Sequence, residues 1–111
     1  MEKSKVFFTK EITSENLIKI YEALGQELKG KVAVKLSTGE AGGHYFLNPN
    51  LIKDLIHKVN GTIVECNTAY EGARNYTEKH LELIKEHEWD KYFKFDLMDA
   101  EGPDLALQEK R

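Results

Sequence analysis

The chain has 111 residues, 41% of them hydrophobic, which is enough for one domain around a single core. Its 16 basic and 19 acidic residues leave a formal net charge of −3. That balance argues against a dedicated nucleic-acid binder, which carries a basic stripe. The single cysteine, Cys66, excludes an internal disulfide framework and a self-contained iron–sulfur cluster.

The opening, Met1-Glu2-Lys3-Ser4-Lys5, runs into a short β-like stretch rather than a signal-peptide core. No apolar run approaches the roughly 18 residues that span a bilayer, so the expectation is a cytoplasmic protein with no membrane partner. Val6-Phe7-Phe8, with Lys5 before it, reads as a first strand. Leu17, Ile20, Tyr21, Leu24 and Leu28 then recur at helical spacing. Thr13 or Ser14 is placed to cap that helix, and Gly30 to end it.

Val32-Ala33-Val34-Lys35-Leu36 is the second expected strand. Asn48-Pro49 opens a second helix, an N-cap side chain followed by proline at the first helical position. Leu51, Ile52, Leu55, Ile56 and Val59 form its apolar stripe, and Gly61 is expected to close it. Thr62-Ile63-Val64-Glu65 is the third strand, residues 77–87 a weaker third helix, and residues 92–98 a fourth strand. The acidic side chains of that third helix, Glu78, Glu82 and Glu86, read as a solvated face. The tail from Ala100 onward lacks periodicity and reads as a loose extension.

The order β-α-β-α-β-α-β predicts an α/β domain over residues 1–111. It implies a mostly parallel four-stranded sheet between two helical layers, three layers in all, with right-handed crossovers. In such sheets ligands bind beyond the carboxyl ends of the strands. That rule points to Thr9-Lys10, to the loop of residues 37–44, and to the segment from Cys66 to Arg74.

The loop Ser37-Thr38-Gly39-Glu40-Ala41-Gly42-Gly43-His44 is the most informative of the three. Glycines at 39, 42 and 43 let the backbone approach a ligand and turn its amides toward it. Ser37 and Thr38 add hydroxyls, and a helix start follows, so the loop suits an anion. It matches neither the GxxxxGK[ST] phosphate loop nor the GxGxxG dinucleotide fingerprint; the alternative is a plain flexible connection. Arg74 is the natural partner for a carboxylate or phosphate through its planar fork, or else it pairs with Glu71 or Glu78.

Ser37, Thr38, Gly39, Glu40, Gly42, Gly43, His44, Asn67, Tyr70 and Arg74 are therefore the candidate ligand-binding residues. Tyr45, Phe46 and Tyr70 either wall a pocket or are ordinary packing. Glu65 ranks below Glu40 because it lies at the end of a strand. His57 and His87 fall on helix bodies or ends and read as structural.

Glu40, His44, Cys66 and His80 are residue types that suit zinc or a similar divalent metal. His44, Cys66 and His80 are the metal candidates, although no HxH, CxxC or HExxH pair anchors them. Cys66 is either a small buried hydrophobe or a thiolate facing the crevice. Paired with His44 or His80 it is the one candidate nucleophile for acyl transfer.

The run from Lys31 to His44 resembles the opening motif of the DUF362 domain, a family of unknown function often labelled "uncharacterised Fe–S centre protein". The stretch Ile63-Val-Glu-Cys-Asn-Thr-Ala-Tyr70, with Arg74, Thr77 and His80 after it, is similar to that family's second motif. Asp96-Leu-Met-Asp-Ala-Glu-Gly102 resembles the strand and turn that follow. Family members are usually longer and continue into a second half with histidine- and glycine-rich motifs. The resemblance thus implies the N-terminal half of such a protein, without its cysteine-rich segment.

Three functional readings follow. The first is a domain that binds a small anionic ligand or a metal. The second is an enzyme completed by a separate partner chain or a second copy. The third is a non-catalytic module that self-associates into a homo-oligomer.

Overall fold

The computed structural model describes residues 2–101. Residues 102–111, most of the expected loose tail and the Gly102 of the third family-like stretch, lie outside the described residues. The elements in order are α1 (Ser14–Ala23), β1 (Val32–Lys35), α2 (Pro49–Lys58), β2 (Gly61–Glu65), α3 (Thr77–Glu86), the single turn α4 (Trp89–Tyr92) and β3 (Lys94–Leu97).

Among the described residues the sheet has three strands in the order β1-β2-β3, all parallel, not the expected four. The strand expected at residues 5–8 is absent: Val6 and Phe8 are 88% and 82% exposed, and the segment joins no ladder. Three consecutive apolar residues suit a strand covered on both faces. Among the described residues this sheet is covered on one.

Crossovers of one hand that step the same way, as β1 to β2 and β2 to β3 do, place their helices on a single face. Register confirms which one. Val34, Ile63 and Phe95 form one row across the sheet, and they meet Ile52 and Ile56 of α2, Ile84 of α3 and Trp89 in a common core. The alternate positions Ala33, Lys35, Lys94 and Asp96 are exposed. The three-layer arrangement is thereby corrected to one sheet with one helical layer. Because the strand order never reverses, this sheet has no switch point of the kind that forms a ligand crevice in doubly wound folds.

Local signals set most helix ends. Thr13 caps α1, accepting from the Asn16 amide at 3.1 Å. The helix stops by Leu24, ahead of Gly25 at φ +67° rather than at Gly30. Asn48 caps α2, accepting from the Asn50 amide at 2.9 Å, with Pro49 in the first turn. That helix ends through Asn60, itself left-handed at φ 52°, and Gly61 already belongs to β2. α1 packs on α2 rather than on the sheet: the Ser14 hydroxyl donates to the Leu51 carbonyl at 2.9 Å, and Lys58 pairs with Glu22. Among the described residues no helix is long and apolar enough to cross a membrane.

Candidate functional site

The inward row beyond Val34-Ile63-Phe95 comprises Leu36, Glu65 and Leu97. A carboxylate thus stands where alternation calls for a core residue, at the carboxyl end of the central strand. Glu65 is 4% exposed, and a buried charge persists only when it is paired and hydrogen-bonded. Its donors come from the loops after β1 and β2, and a third segment, α3, brings a histidine against it. Oε1 accepts from Arg74 Nη1 at 3.2 Å. Oε2 accepts from the Thr38 amide at 3.2 Å and lies 3.1 Å from His80 Nε2. The residue ranked below Glu40 is therefore the hub of the strand-end cluster.

Thr38 has no exposed surface. Its carbonyl accepts from Trp89 Nε1 at 3.1 Å and from His87 Nδ1 at 2.7 Å, and its hydroxyl lies 3.0 Å from His80 Nε2. His87 also stacks on Phe46 at 3.8 Å, and His57 Nε2 meets the Tyr92 carbonyl at 2.8 Å. Gly39 makes the next step possible. Its φ is +94°, and a Cβ there would stand 2.6 Å from Phe46 Cβ.

The tautomer of His80 follows from a chain of donors. Thr77 Oγ1 donates to the Ala100 carbonyl at 2.9 Å, so it accepts from Asn67 Nδ2 at 3.1 Å. Asn67 Oδ1 then faces His80 Nδ1 at 3.0 Å, which assigns the proton to Nδ1. Burial pushes the His80 pKa down, and the Glu65 carboxylate offsets only part of that shift. In the neutral ring Nε2 accepts from the Thr38 hydroxyl and has no proton to give Glu65, so that contact becomes a hydrogen bond only when the ring is protonated. Hydroxyl, imidazole and amide stand in the order of a nucleophile, its base and an orienting group, but the hydroxyl is fully buried and meets no substrate. The set therefore serves to lock the loop after β1 onto α3.

Arg74 carries the cluster to the surface. Nη1 donates to Glu65 and to the Ser37 hydroxyl at 3.0 Å, while Nη2 donates to Glu40 and to the Tyr70 hydroxyl. Tyr70 donates in turn to Glu40 Oε1 at 3.1 Å. The arginine is 7% exposed, whereas the Glu40 side chain is more than half exposed. Burial works against the Arg74 charge, and Glu40 outweighs it, so its pKa rises. Arg74 and Tyr70 hold the Glu40 carboxyl below the usual carboxylate range. Arg74 Nε is buried and has no hydrogen-bond partner among the described residues.

Ser37, Glu40, Tyr70 and Arg74 thus meet at one point, joined beneath the surface to Thr38, Asn67 and His80. The glycines behave differently from the expected amide cradle. Gly43 N–H turns back to the Glu40 carbonyl at 2.9 Å and closes a tight turn, with Gly42 at φ +71°.

His44 lies elsewhere, in a depression of about 230 Å³ with Asn48, Pro49, Glu86 and Glu88. Cys66 is exposed, and desolvation together with the Asp99 carboxylate pushes its thiol pKa up, away from the thiolate a nucleophile needs. His80 is committed to Asn67 and Thr38. Among the described residues no group of three or more His, Cys, Asp or Glu is placed to hold a metal, so His44, Cys66 and His80 do not form a centre. Among the described residues Thr9 and Lys10 follow no strand, and Thr9 Oγ1 bonds the nearby Glu11 carbonyl.

Sequence reasoning missed Glu65 as hub and Trp89 as an anchor. Alternation from Ile63 was the available signal for Glu65, since it places an acid inward on a central strand. No family model, curated protein or solved structure matches the chain.

Proposed function

We propose that this is a cytoplasmic α/β domain that binds a small anionic ligand at Arg74. One observation carries the reading. A buried guanidinium has its inner edge fixed on a buried carboxylate, Glu65, and its outer nitrogen held by an exposed one, Glu40. The inner pair sets position; the outer partner is exchangeable, because an exposed ion pair contributes only about 0.2–1 kcal/mol. A ligand carboxylate or phosphate that displaces Glu40 takes its place on Arg74 Nη2 and the Tyr70 hydroxyl. Ser37 and Tyr70 then supply neutral hydrogen-bonding groups beside it.

The resemblance to the DUF362 family belongs to this proposal. Two of the three stretches that carry it, residues 31–44 and 63–80, supply every side chain of the cluster. The metal version has no support in the geometry, and the fully buried Thr38 hydroxyl gives none to a nucleophilic enzyme. The open sheet face carries Lys35, Lys94 and Asp96, which does not favour self-association through an apolar surface.

Calorimetric titration with sodium phosphate and sodium acetate at low ionic strength tests the reading. Saturable binding is expected to tighten, by up to about fivefold, in Glu40→Gln, which removes the competing carboxylate. It is expected to weaken in Arg74→Lys, which keeps the charge and loses the fork, with circular dichroism confirming the fold. No binding to the wild type or to Glu40→Gln overturns the reading.

A further inference from the structure

We infer that the anion is amphipathic: a small organic acid whose carboxylate sits on Arg74 and whose apolar body lies along the loop after β1. The inference rests on the anion-binding reading and adds the class of ligand.

A groove of about 450 Å³ runs along this loop, with Leu36, Tyr45, Phe46 and Leu47 as apolar walls and Ser37 and Glu40 at its polar side. Those two polar residues are both partners of Arg74: Nη1 donates to the Ser37 hydroxyl at 3.0 Å, and Nη2 to Glu40. The guanidinium therefore stands directly behind the polar side of the groove. Glu40 already shows what chemistry suits that position, a planar carboxylate bonded at once to Arg74 and to the Tyr70 hydroxyl.

Orthophosphate or acetate would satisfy the polar side and leave the walls unused. Ligand sites of roughly 300–1,000 Å³ generally combine apolar walls with a few convergent polar groups, and this groove has that composition. Tyr45 is fully exposed and Leu47 is 39% exposed, so both stand free to close over an apolar body. Gly43, which also lines the groove, offers no side chain to block it.

Phenylacetate, acetate, orthophosphate and 2-phenylethanol, titrated separately into the intact chain, form the test. Phenylacetate is expected to bind about tenfold or more tightly than acetate, because only it desolvates apolar surface. 2-Phenylethanol, with the body and no charge, is expected to bind far more weakly than phenylacetate. The double variant Tyr45→Ser/Leu47→Ser changes two exposed side chains; it should bring phenylacetate down toward acetate and leave acetate unchanged. Equal affinity for phenylacetate and acetate overturns this inference while the anion site stands. Failure of every anion overturns the site itself. Equal binding of 2-phenylethanol and phenylacetate overturns the charged head group.

Discussion

Residues 5–8 and β2 are both short, β-branched or aromatic stretches, and the protein treats them oppositely. Ile63 is fully buried, and β2 is the central strand, paired on both sides. Val6 and Phe8 are almost wholly in solvent. The difference is not propensity. β2 alternates its burial, which fits a sheet with one covered face, and it ends on an acid that the loops after β1 and β2 converge to satisfy. Residues 6–8 present apolar side chains on both faces to a sheet that offers cover for one. A strand's fate is set by the layers around it.

The largest effect that bears on this contrast should come from the acid at the end of β2. Arg74→Met leaves the Glu65 carboxylate buried without its guanidinium, at a cost of about 3–5 kcal/mol. Urea unfolding followed by circular dichroism measures it; a loss below about 1 kcal/mol would show that the cluster is solvated and not a buried hub. Next, Ile63→Ala should lose about 2–5 kcal/mol through the cavity it opens.

The third prediction concerns acid. The His80 pKa is lowered in the folded state, so the unfolded chain binds the extra proton first as pH falls. Stability contributed by His80 is complete above its ordinary value of about 6.5 and declines as pH drops below it toward the folded value. The Glu40 shift, also downward, acts in a lower window, beginning near the ordinary glutamate value of about 4.5. Unfolding midpoints across pH 4.5–7.5 should slope in the wild type and flatten in His80→Gln. An unchanged slope in that variant would remove His80 as its source.

The smallest effect belongs to the other half of the comparison. Phe8→Ala and Val6→Ala should each change stability by less than about 0.5 kcal/mol. A loss comparable to that of Ile63→Ala would mean that residues 5–8 are packed in solution.

Much of the fold was legible because its signals are local. The Thr13 and Asn48-Pro49 caps, the stripe of α2, and the strands at 32–35 and 61–65 all follow from side chains within a few residues of one another. The site was legible in part. Glycine spacing drew attention to residues 37–44, and Arg74 was recognised by its fork. The tie between that loop and Glu65 runs 27 residues along the chain, and the tie between Thr38 and His80 runs 42. No periodicity reports a contact of that span. The acid was set aside because strand residues are usually structural, although its inward parity was already readable.

By itself, then, the sequence determined the succession of helices and parallel strands from α1 to α3, the starts of those three helices, and which segments carry chemistry, but not the single turn α4. Those depend on propensity, capping and pattern over short distances. Only the tertiary structure decided that residues 5–8 stay out of the sheet, that one face is left open, and that His44 and Cys66 stand apart from His80. It also decided that Glu65, Arg74 and Glu40 form a line from core to surface. Each of these turns on which layers cover which faces and on where a buried charge finds its partners, and both are properties of the assembled chain.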